Sequence, residues 1–477
     1  MTKEKSREEI KKIKWLILSQ STQILSQVIN VVFLTRLFTP DDYGVFAIGM
    51  VIISVVNQIF ILGFSAPLIQ FDNHTRYYGT AWTFNLLITF IVTIILILVI
   101  PHALNYFFPL YAAYSKIFRL LTITVLISGL CNIGVIELYR ERVINKLFFL
   151  RGFIELLKVI FVFVFFKFLE DYRALIYAFI VTAFIKLILS YTLAPIKSKF
   201  EFKKDLFYSL FNFSKWIQLK NITKVVTNQF NSLIVGGVMS PFYLGIFNRS
   251  LTISKVPEQL FLNVNEIYIY PLISKNKENL NFIKDSFIVL MAIVSIIVFN
   301  LVLLLNLFGE FVIGTILGSS WISIVKPLNI LIISMAFNSI LNSFFSFFRA
   351  KGYPKIEFKL FFIRAILLLI ISYPLIKNYN LTGAAMSNLF SVLILIPICI
   401  NQSKKIIGKY VNMLYILLLI QILTGIVFYF ISIWYFSLFN SFTINFFLVL
   451  IGFNLISTGV MKLYYPKLFI VIKKNLK

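Results

Sequence analysis

Apolar stretches of 18 or more residues recur along the chain from about residue 13 to residue 470. A stretch of this length fits a helix that crosses a bilayer, because about 20 residues at 1.5 Å per residue span the hydrocarbon core. Of the 477 residues, 59% are hydrophobic and 13% are charged, against about 25% charged in an average soluble protein. The sequence therefore predicts an all-α polytopic membrane protein.

We predict fourteen spans from these stretches. The first is too long for the apolar region of a signal peptide and should be retained in the protein. The spans are 13–38, 43–69, 80–106, 115–137, 147–168, 173–195, 210–238, 242–273, 284–308, 323–348, 358–377, 381–401, 410–434 and 441–463.

The net charge of +26 is spread over the short connections between spans. With the N-terminus in the cytoplasm, most Lys and Arg residues fall in the cytoplasmic connections and in the two tails. That distribution follows the positive-inside rule and predicts cytoplasmic N- and C-termini. The chain shows no recognised nucleic-acid-binding module, so we expect no nucleic-acid partner.

An internal repeat divides the chain. Lys14-Trp15 recurs as Lys215-Trp216, the turn with Pro40 and Gly44 recurs with Pro241 and Gly245, and Pro67-Leu68-Ile69 recurs as Pro271-Leu272-Ile273. The period holds six spans, an even number, so the two copies share one orientation in the membrane. We predict an N-lobe at 1–205, a C-lobe at 206–405, and two extra spans with a cytoplasmic tail at 406–477.

The second copy of the repeated hairpin, 215–273, carries charge inside apolar spans. A charged side chain at the centre of a spanning helix costs about 2.5–3.5 kcal/mol on insertion scales. A water-filled cavity that accepts an anion would compensate this cost. The predicted cationic substrate-binding residues are Lys220, Lys224, Arg249 and Lys255. Lys224 lies about 13–14 Å deeper than Lys215, too deep to reach the interface easily.

Polar residues form one face on the first helix of each copy. They are Gln20, Gln23, Gln27 and Asn30 in the first copy, and Asn228 and Asn231 beside the lysines in the second. We predict that these faces line the same cavity, and hydrogen bonding between spans is the alternative.

Two pairs of opposite charge sit at i,i+3 spacing, which permits each pair to interact within its own helix. Glu155 and Lys158 are interpreted as a structural pair, and Lys255 and Glu258 could pair instead of meeting substrate. Pro257 between the latter two interrupts the helical hydrogen bonds, as in the broken helices of transporter sites. We expect free thiols at Cys131 and Cys399, because each falls in a separate span.

Catalytic motifs are absent from the sequence: we find no phosphate-cradling glycine loop, metal-binding cluster or nucleophile elbow. The outer connections are also too short for a catalytic loop of a polymerase. The sequence thus predicts a transporter and not an enzyme, with no bound metal or organic cofactor.

Two segments carry a family resemblance. The stretch LTRLFTPDDYGVFAIG from Leu34, followed by GFSAPLIQ from Gly63, resembles the start of bacterial polysaccharide exporters. These are Wzx-type flippases of the multidrug/oligosaccharidyl-lipid/polysaccharide superfamily, including its colanic and teichuronic acid exporter branch. SPFYLGIFNR from Ser240 and PLIS from Pro271 resemble the second-half counterpart.

The resemblance implies a flippase in the bacterial cytoplasmic membrane that moves undecaprenyl-pyrophosphate-linked oligosaccharide to the outer leaflet by alternating access. It implies a cationic cavity for the pyrophosphate and for any acidic sugar. Coupling to an ion gradient or membrane potential, with the ion left open, and association with polysaccharide polymerase machinery are further expectations. The alternatives are a lipid II flippase, a cation-coupled drug exporter of the same superfamily and, less favoured, a membrane polymerase.

Overall fold

The computed structural model describes residues 15, 18, 21–22, 25–61, 63–72, 74–141, 143–264, 307–407 and 452. Within these residues the regular structure is helical, and six helices are long and apolar enough to cross a membrane. The prediction of an all-helical multi-pass protein is confirmed for this part of the chain. The count of fourteen spans and the two-lobe repeat stay predictions.

Eight long helices are labelled here in chain order, and shorter turns connect them. They are α1 Pro40–Phe60, α2 Tyr78–Phe107, α3 Ile154–Leu169, α4 Arg173–Leu193, α5 Lys204–Val238, α6 Pro241–Val264, α7 Val325–Ala350 and α8 Pro354–Ile407. Shorter apolar helices occupy Leu25–Leu37 and Leu307–Leu317.

Several predicted spans are divided. Span 2 ends as α1 at Phe60 and is followed by a separate short helix, Ser65–Gln70. Span 4 is built from Ser115–Leu121 and Ile123–Leu130 and then stops. It stops because Cys131 and Asn132 are extended and Asn132 caps the next turn through Gly134 N at 2.9 Å. Apolar content predicted the length of these stretches but carries no signal for such local caps.

The start of α1 follows directly from its sequence. Thr39 Oγ1 accepts a hydrogen bond from Asp42 N at 3.2 Å, and Thr39 N donates to Asp42 Oδ2 at 3.1 Å. This reciprocal capping box satisfies two backbone groups at the end of the helix. Pro40 takes the first helical position, where no intrahelical donor is needed.

The chain forms two compact units, 1–248 and 249–477, and the boundary falls within α6. In the first unit, apolar side chains of α1, α2 and α4 share a core that includes Ile53, Val92 and Ile176. In the second unit, α7 packs along α8 and buries four phenylalanines between Phe344 and Phe348. The predicted lobe boundaries at 205 and 405 follow the internal repeat and stay a prediction.

Two segments that the sequence identifies as repeats meet in the first unit. A Cβ atom built on Gly44 would lie 1.8 Å from the carbonyl oxygen of Pro241, and one built on Gly245 would lie 1.8 Å from that of Pro40. Each glycine therefore packs against the proline backbone of the other segment. A twofold relation between the two segments would produce such a reciprocal contact.

The predicted spans 11 and 12 lie within α8. The backbone breaks at Asn380, whose φ of 53° and ψ of −133° are not helical. A Cβ on Gly383 would lie 1.9 Å from the carbonyl oxygen of Leu375, so the chain turns tightly back at this point. The predicted connection at 378–380 is therefore a turn, as expected.

Candidate functional site

A polar stripe runs along the exposed face of α5. Lys220, Lys224 and Asn228 are exposed, and their spacing of four residues keeps them on one side of the helix. Lys215 is also exposed but lies about 140° away around the helix. Farther along the side of Lys220 and Lys224, Asn231 is buried. We call Lys220, Lys224 and Asn228 the α5 stripe. A helix face in contact with hydrocarbon is expected to be apolar, whereas this face is polar and positively charged.

Helix α2 shows what a lipid-facing surface of this protein looks like. Its exposed side chains in the middle of the span are apolar, and they include Phe90, Ile91, Ile94 and Leu98. Exposed apolar residues on α2 and exposed lysines on α5 indicate two different surroundings. A lysine is costly in hydrocarbon, so we predict that the α5 stripe contacts water or an anion.

Hydrogen bonds to the end of α1 fix the rotation of α5. Gln218 Nε2 donates to the carbonyl oxygens of Gln58 at 2.6 Å and Ile59 at 2.7 Å. Ser214 Oγ donates to the carbonyl oxygen of Gly63 at 3.4 Å. Gln218 is buried, and Lys220 lies about 160° away from it around the helix, on the exposed side.

The residues of the two predicted polar faces differ in how exposed they are. Asn228 belongs to the exposed α5 stripe, whereas Asn231 is buried, with 6% of its surface exposed. Gln27 and Asn30 are half-buried on the helix Leu25–Leu37. Gln20 and Gln23 lie outside the described residues. Whether these amides contact substrate stays a prediction.

The charged residues predicted on α6 are less accessible than the α5 lysines. Arg249 is buried, with 4% exposed, and Lys255 is half-buried. Glu258 is buried, and Lys255 and Arg364 both lie within electrostatic range of it. Substrate contact by Arg249 and Lys255 stays a prediction, and the burial places the readily accessible cations on α5.

A buried polar network surrounds Glu258 in the second unit. Asn338 Nδ2 and Asn342 Nδ2 both donate to Glu258 Oε1, the latter at 3.1 Å, and Arg364 donates to Asn338 Oδ1 at 2.7 Å. Asn338 thus bridges a carboxylate and a guanidinium that are both buried. The sequence reasoning missed these partners, although two amides four residues apart and an arginine inside apolar spans were a detectable signal.

The other predicted pair is confirmed. Lys158 Nζ forms an ion pair with Glu155 Oε2 within α3. The two cysteines are free thiols, as expected.

The comparison with protein families decides what kind of membrane protein this is. Residues 33–326 match the family described as Polysaccharide biosynthesis protein. The chain belongs to this family. The matched region contains every motif on which the resemblance to polysaccharide exporters rests, so that resemblance is confirmed.

Individual relatives agree with membership of the polysaccharide biosynthesis family. An uncharacterized membrane protein in the cps region of Klebsiella pneumoniae is 23% identical over 393 residues, which cover 79% of this chain and 78% of that protein. Among solved structures, the lipid II flippase MurJ in an inward closed conformation matches with a TM-score of 0.73 at 14% identity. That match covers 96% of this chain and 100% of MurJ.

A MATE multidrug transporter of the MOP superfamily, in an inward-facing conformation, matches with a TM-score of 0.60 at 11% identity. It covers 83% of this chain and 94% of the transporter. At such identities the likeness establishes the fold and leaves the cargo open. This member of the polysaccharide biosynthesis family therefore has a MurJ- and MATE-like fold, with an exposed cationic stripe on α5.

Proposed function

We propose that this protein is a flippase that moves undecaprenyl-pyrophosphate-linked oligosaccharide from the cytoplasmic to the outer leaflet for surface polysaccharide biosynthesis. The α5 stripe supports the proposal most directly. Lysine ammonium groups are point-charge partners for phosphate, and Lys220 and Lys224 lie about 6 Å apart along the helix. A pyrophosphate can contact both at once.

The family and the fold support the same activity. The family is one of polysaccharide biosynthesis, and the fold is shared with a flippase of a lipid-linked precursor and with MATE transporters. In this proposal the lobes alternate access to a cavity that the α5 stripe lines, as in other transporters built from repeats. Energy comes from an ion gradient or the membrane potential, and a polysaccharide polymerase receives the product.

Replacing Lys220 and Lys224 together with Ala tests the proposal. Export of the glycan should stop while membrane insertion and protein level are unchanged, because both phosphate-binding charges are lost. Lys204→Ala, at the exposed start of the same helix, is the matched control and should export normally. Normal export by the double variant would refute the role of the α5 stripe.

The location of the accumulated intermediate distinguishes transport from polymerisation. In cells that lack the protein, lipid-linked repeat units should accumulate on the cytoplasmic leaflet. Accumulation of single repeat units on the outer leaflet would instead indicate a polymerase.

A lipid II flippase is the second candidate, favoured by the MurJ likeness over 96% of the chain. Expression of this protein in cells depleted of their own lipid II flippase separates the two cargoes. We expect no rescue of growth, since the family match concerns polysaccharide biosynthesis. Rescue would assign lipid II as the cargo.

A further inference from the structure

A polar cavity lies within the first unit, and none of its lining residues belongs to the α5 stripe. Its volume is about 420 Å³, and its walls are Gln27, Leu150, Arg151, Ile154, Glu155 and Lys186. These residues come from the helix Leu25–Leu37, from the turn Phe149–Phe153, from the start of α3 and from α4. The volume falls in the range of about 300–1,000 Å³ that is usual for small-molecule sites.

Two π-helical turns border this cavity. One is Asn30–Leu34, which begins three residues after Gln27, and the other is Phe149–Phe153, which contains Leu150 and Arg151. A π-helical turn inserts a residue into a helix and rotates the side chains that follow. Such turns are rare and occur frequently at functional sites. Here Phe149–Phe153 supplies two of the lining residues, and Asn30–Leu34 lies on the helix that supplies Gln27.

The cations of the cavity are held in place by their surroundings. The guanidinium of Arg151 lies 4.8 Å from the centre of the Tyr139 ring, close enough for a cation–π contact. Lys186 is exposed, although Thr182 and Ser190, one turn to each side of it on α4, are each only 2% exposed. Lys186 is also one of the residues that line the cavity.

We propose that this cavity binds a carboxylate-bearing sugar of the glycan, an inference that rests on the proposed function. Arg151 and Lys186 supply charge-assisted donors for the sugar carboxylate. Glu155, which Lys158 pairs at Oε2, supplies an acceptor for sugar hydroxyls. The Gln27 amide both donates and accepts.

The same residues disfavour a phosphate group. Phosphate at neutral pH has few hydroxyl donors, so it cannot use the acceptor oxygens that Glu155 and Gln27 offer. A uronic acid carries a single charge and several hydroxyls, which matches two cations beside a carboxylate and an amide. The lipid-linked substrate is accordingly an acidic glycan, with its pyrophosphate at the α5 stripe and an acidic sugar in this cavity.

Binding of simple probes to the full-length protein in phosphatidylcholine nanodiscs tests the assignment. Saturation-transfer NMR with sodium glucuronate, glucose and inorganic phosphate measures the three affinities. Glucuronate should bind about tenfold or more tightly than either other probe. Arg151→Gln and Lys186→Gln should each weaken glucuronate binding about tenfold, the usual effect of losing one charge-assisted hydrogen bond.

Two further variants serve as controls of specificity. Lys167→Gln, an exposed lysine at the far end of α3, should bind glucuronate like the unmodified protein. Glu155→Gln should bind phosphate more tightly than the unmodified protein, because it removes a negative charge and leaves Lys158 without its ion-pair partner. Unchanged glucuronate binding in Arg151→Gln and Lys186→Gln, or an equal loss in Lys167→Gln, would overturn the assignment.

The lipid supplies another anion, and its effect is separable. Glucuronate affinity should be the same in nanodiscs that contain phosphatidylglycerol, and competition by that lipid would assign the cavity to a headgroup phosphate. The Lys220→Ala/Lys224→Ala protein should lose inorganic pyrophosphate binding and keep glucuronate binding. Loss of export in that protein, together with no effect of Arg151→Gln on glucuronate, would reject the sugar subsite and leave the proposed function standing.

Discussion

At the scale of single residues, Asn338 holds together the buried charges of the second unit. Its amide donates to Glu258, and its carbonyl accepts from Arg364 at 2.7 Å. A buried charge without partners is far more costly than a buried amide, and an amide has both a donor and an acceptor with which to satisfy two ions. Loss of this side chain would therefore remove a hydrogen-bond partner from both ions at once.

We predict that Asn338→Leu lowers the free energy of unfolding by roughly 2–5 kcal/mol, because it removes one hydrogen bond from each of two buried charges. The melting temperature in detergent measures the effect. Asn329→Leu is the matched control on α7, since the Asn329 Oδ1 atom is buried without a hydrogen-bond partner, and it should be neutral or stabilising. Equal melting temperatures for the two variants would contradict the prediction.

The residue scale also shows what sequence could predict at the candidate site. Lys220 and Lys224 were identified from sequence because a lysine inside an apolar spanning stretch costs free energy whatever the position of that helix in the fold. Arg151 and Lys186 were not identified as partners of Gln27, because they lie more than one hundred residues away in sequence and meet only through packing. Burial of Arg249 likewise depends on neighbours that no local pattern specifies.

At the scale of elements, the contact between the starts of α1 and α6 is made by backbone. Gly44 and Gly245 leave no space for a side chain, and the atoms in their way are the carbonyl oxygens of Pro241 and Pro40. A carbonyl in a helical turn cannot rotate aside as a side chain can. Adding a methyl group must therefore separate the helices.

Gly44→Ala and Gly245→Ala should each destabilise the protein by about 2 kcal/mol or more, as overpacking of a rigid site does. Gly314→Ala in the helix Leu307–Leu317 is the matched control, because its nearest neighbour atoms are 4.0 Å from the new Cβ. It should be neutral or slightly stabilising. Thermal unfolding of the three variants compares them, and a stable Gly44→Ala protein would mean that the contact is loose.

The break in α8 makes a prediction of its own. Asn380 has a positive φ of 53°, which costs a β-branched residue about 1–3 kcal/mol. Asn380→Val should lower the melting temperature, whereas Asn380→Gly should preserve or raise it. The reverse order would show that the Asn380 side chain, and not its backbone, determines the turn.

At the scale of the whole molecule, hydrophobic length predicted most of the long helices. The ends of α5 and of α2 agree with the predicted spans 7 and 3 to within six residues at each end. The failures occur in spans 2 and 4, where short extended segments and an asparagine cap divide a continuous apolar stretch. Hydropathy measures affinity for the bilayer. It gives no information on the extended segments and side-chain caps that end a helix.

The predicted topology is testable through α5, whose 35 residues exceed the length needed to cross the hydrocarbon core. In a protein with both native cysteines replaced by Ala, Lys199→Cys, five residues before α5, should react with an impermeant maleimide only from the cytoplasmic side. Val238→Cys at the other end should react only from outside. Both positions lie outside the predicted cavity residues, and labelling from the same side would refute the crossing.

The reciprocal proline–glycine contact has an evolutionary consequence. A symmetric dimer joins its subunits through the same surface patch on each subunit. If residue i of one subunit contacts residue j of the other, then residue j of the first subunit also contacts residue i of the second. Fusing two such subunits into one gene would preserve that interface inside a single chain. The predicted internal repeat would then make the paired Pro40–Gly44 and Pro241–Gly245 turns descendants of the dimer interface of a shorter ancestor. A change in either turn must fit the shape of the other turn.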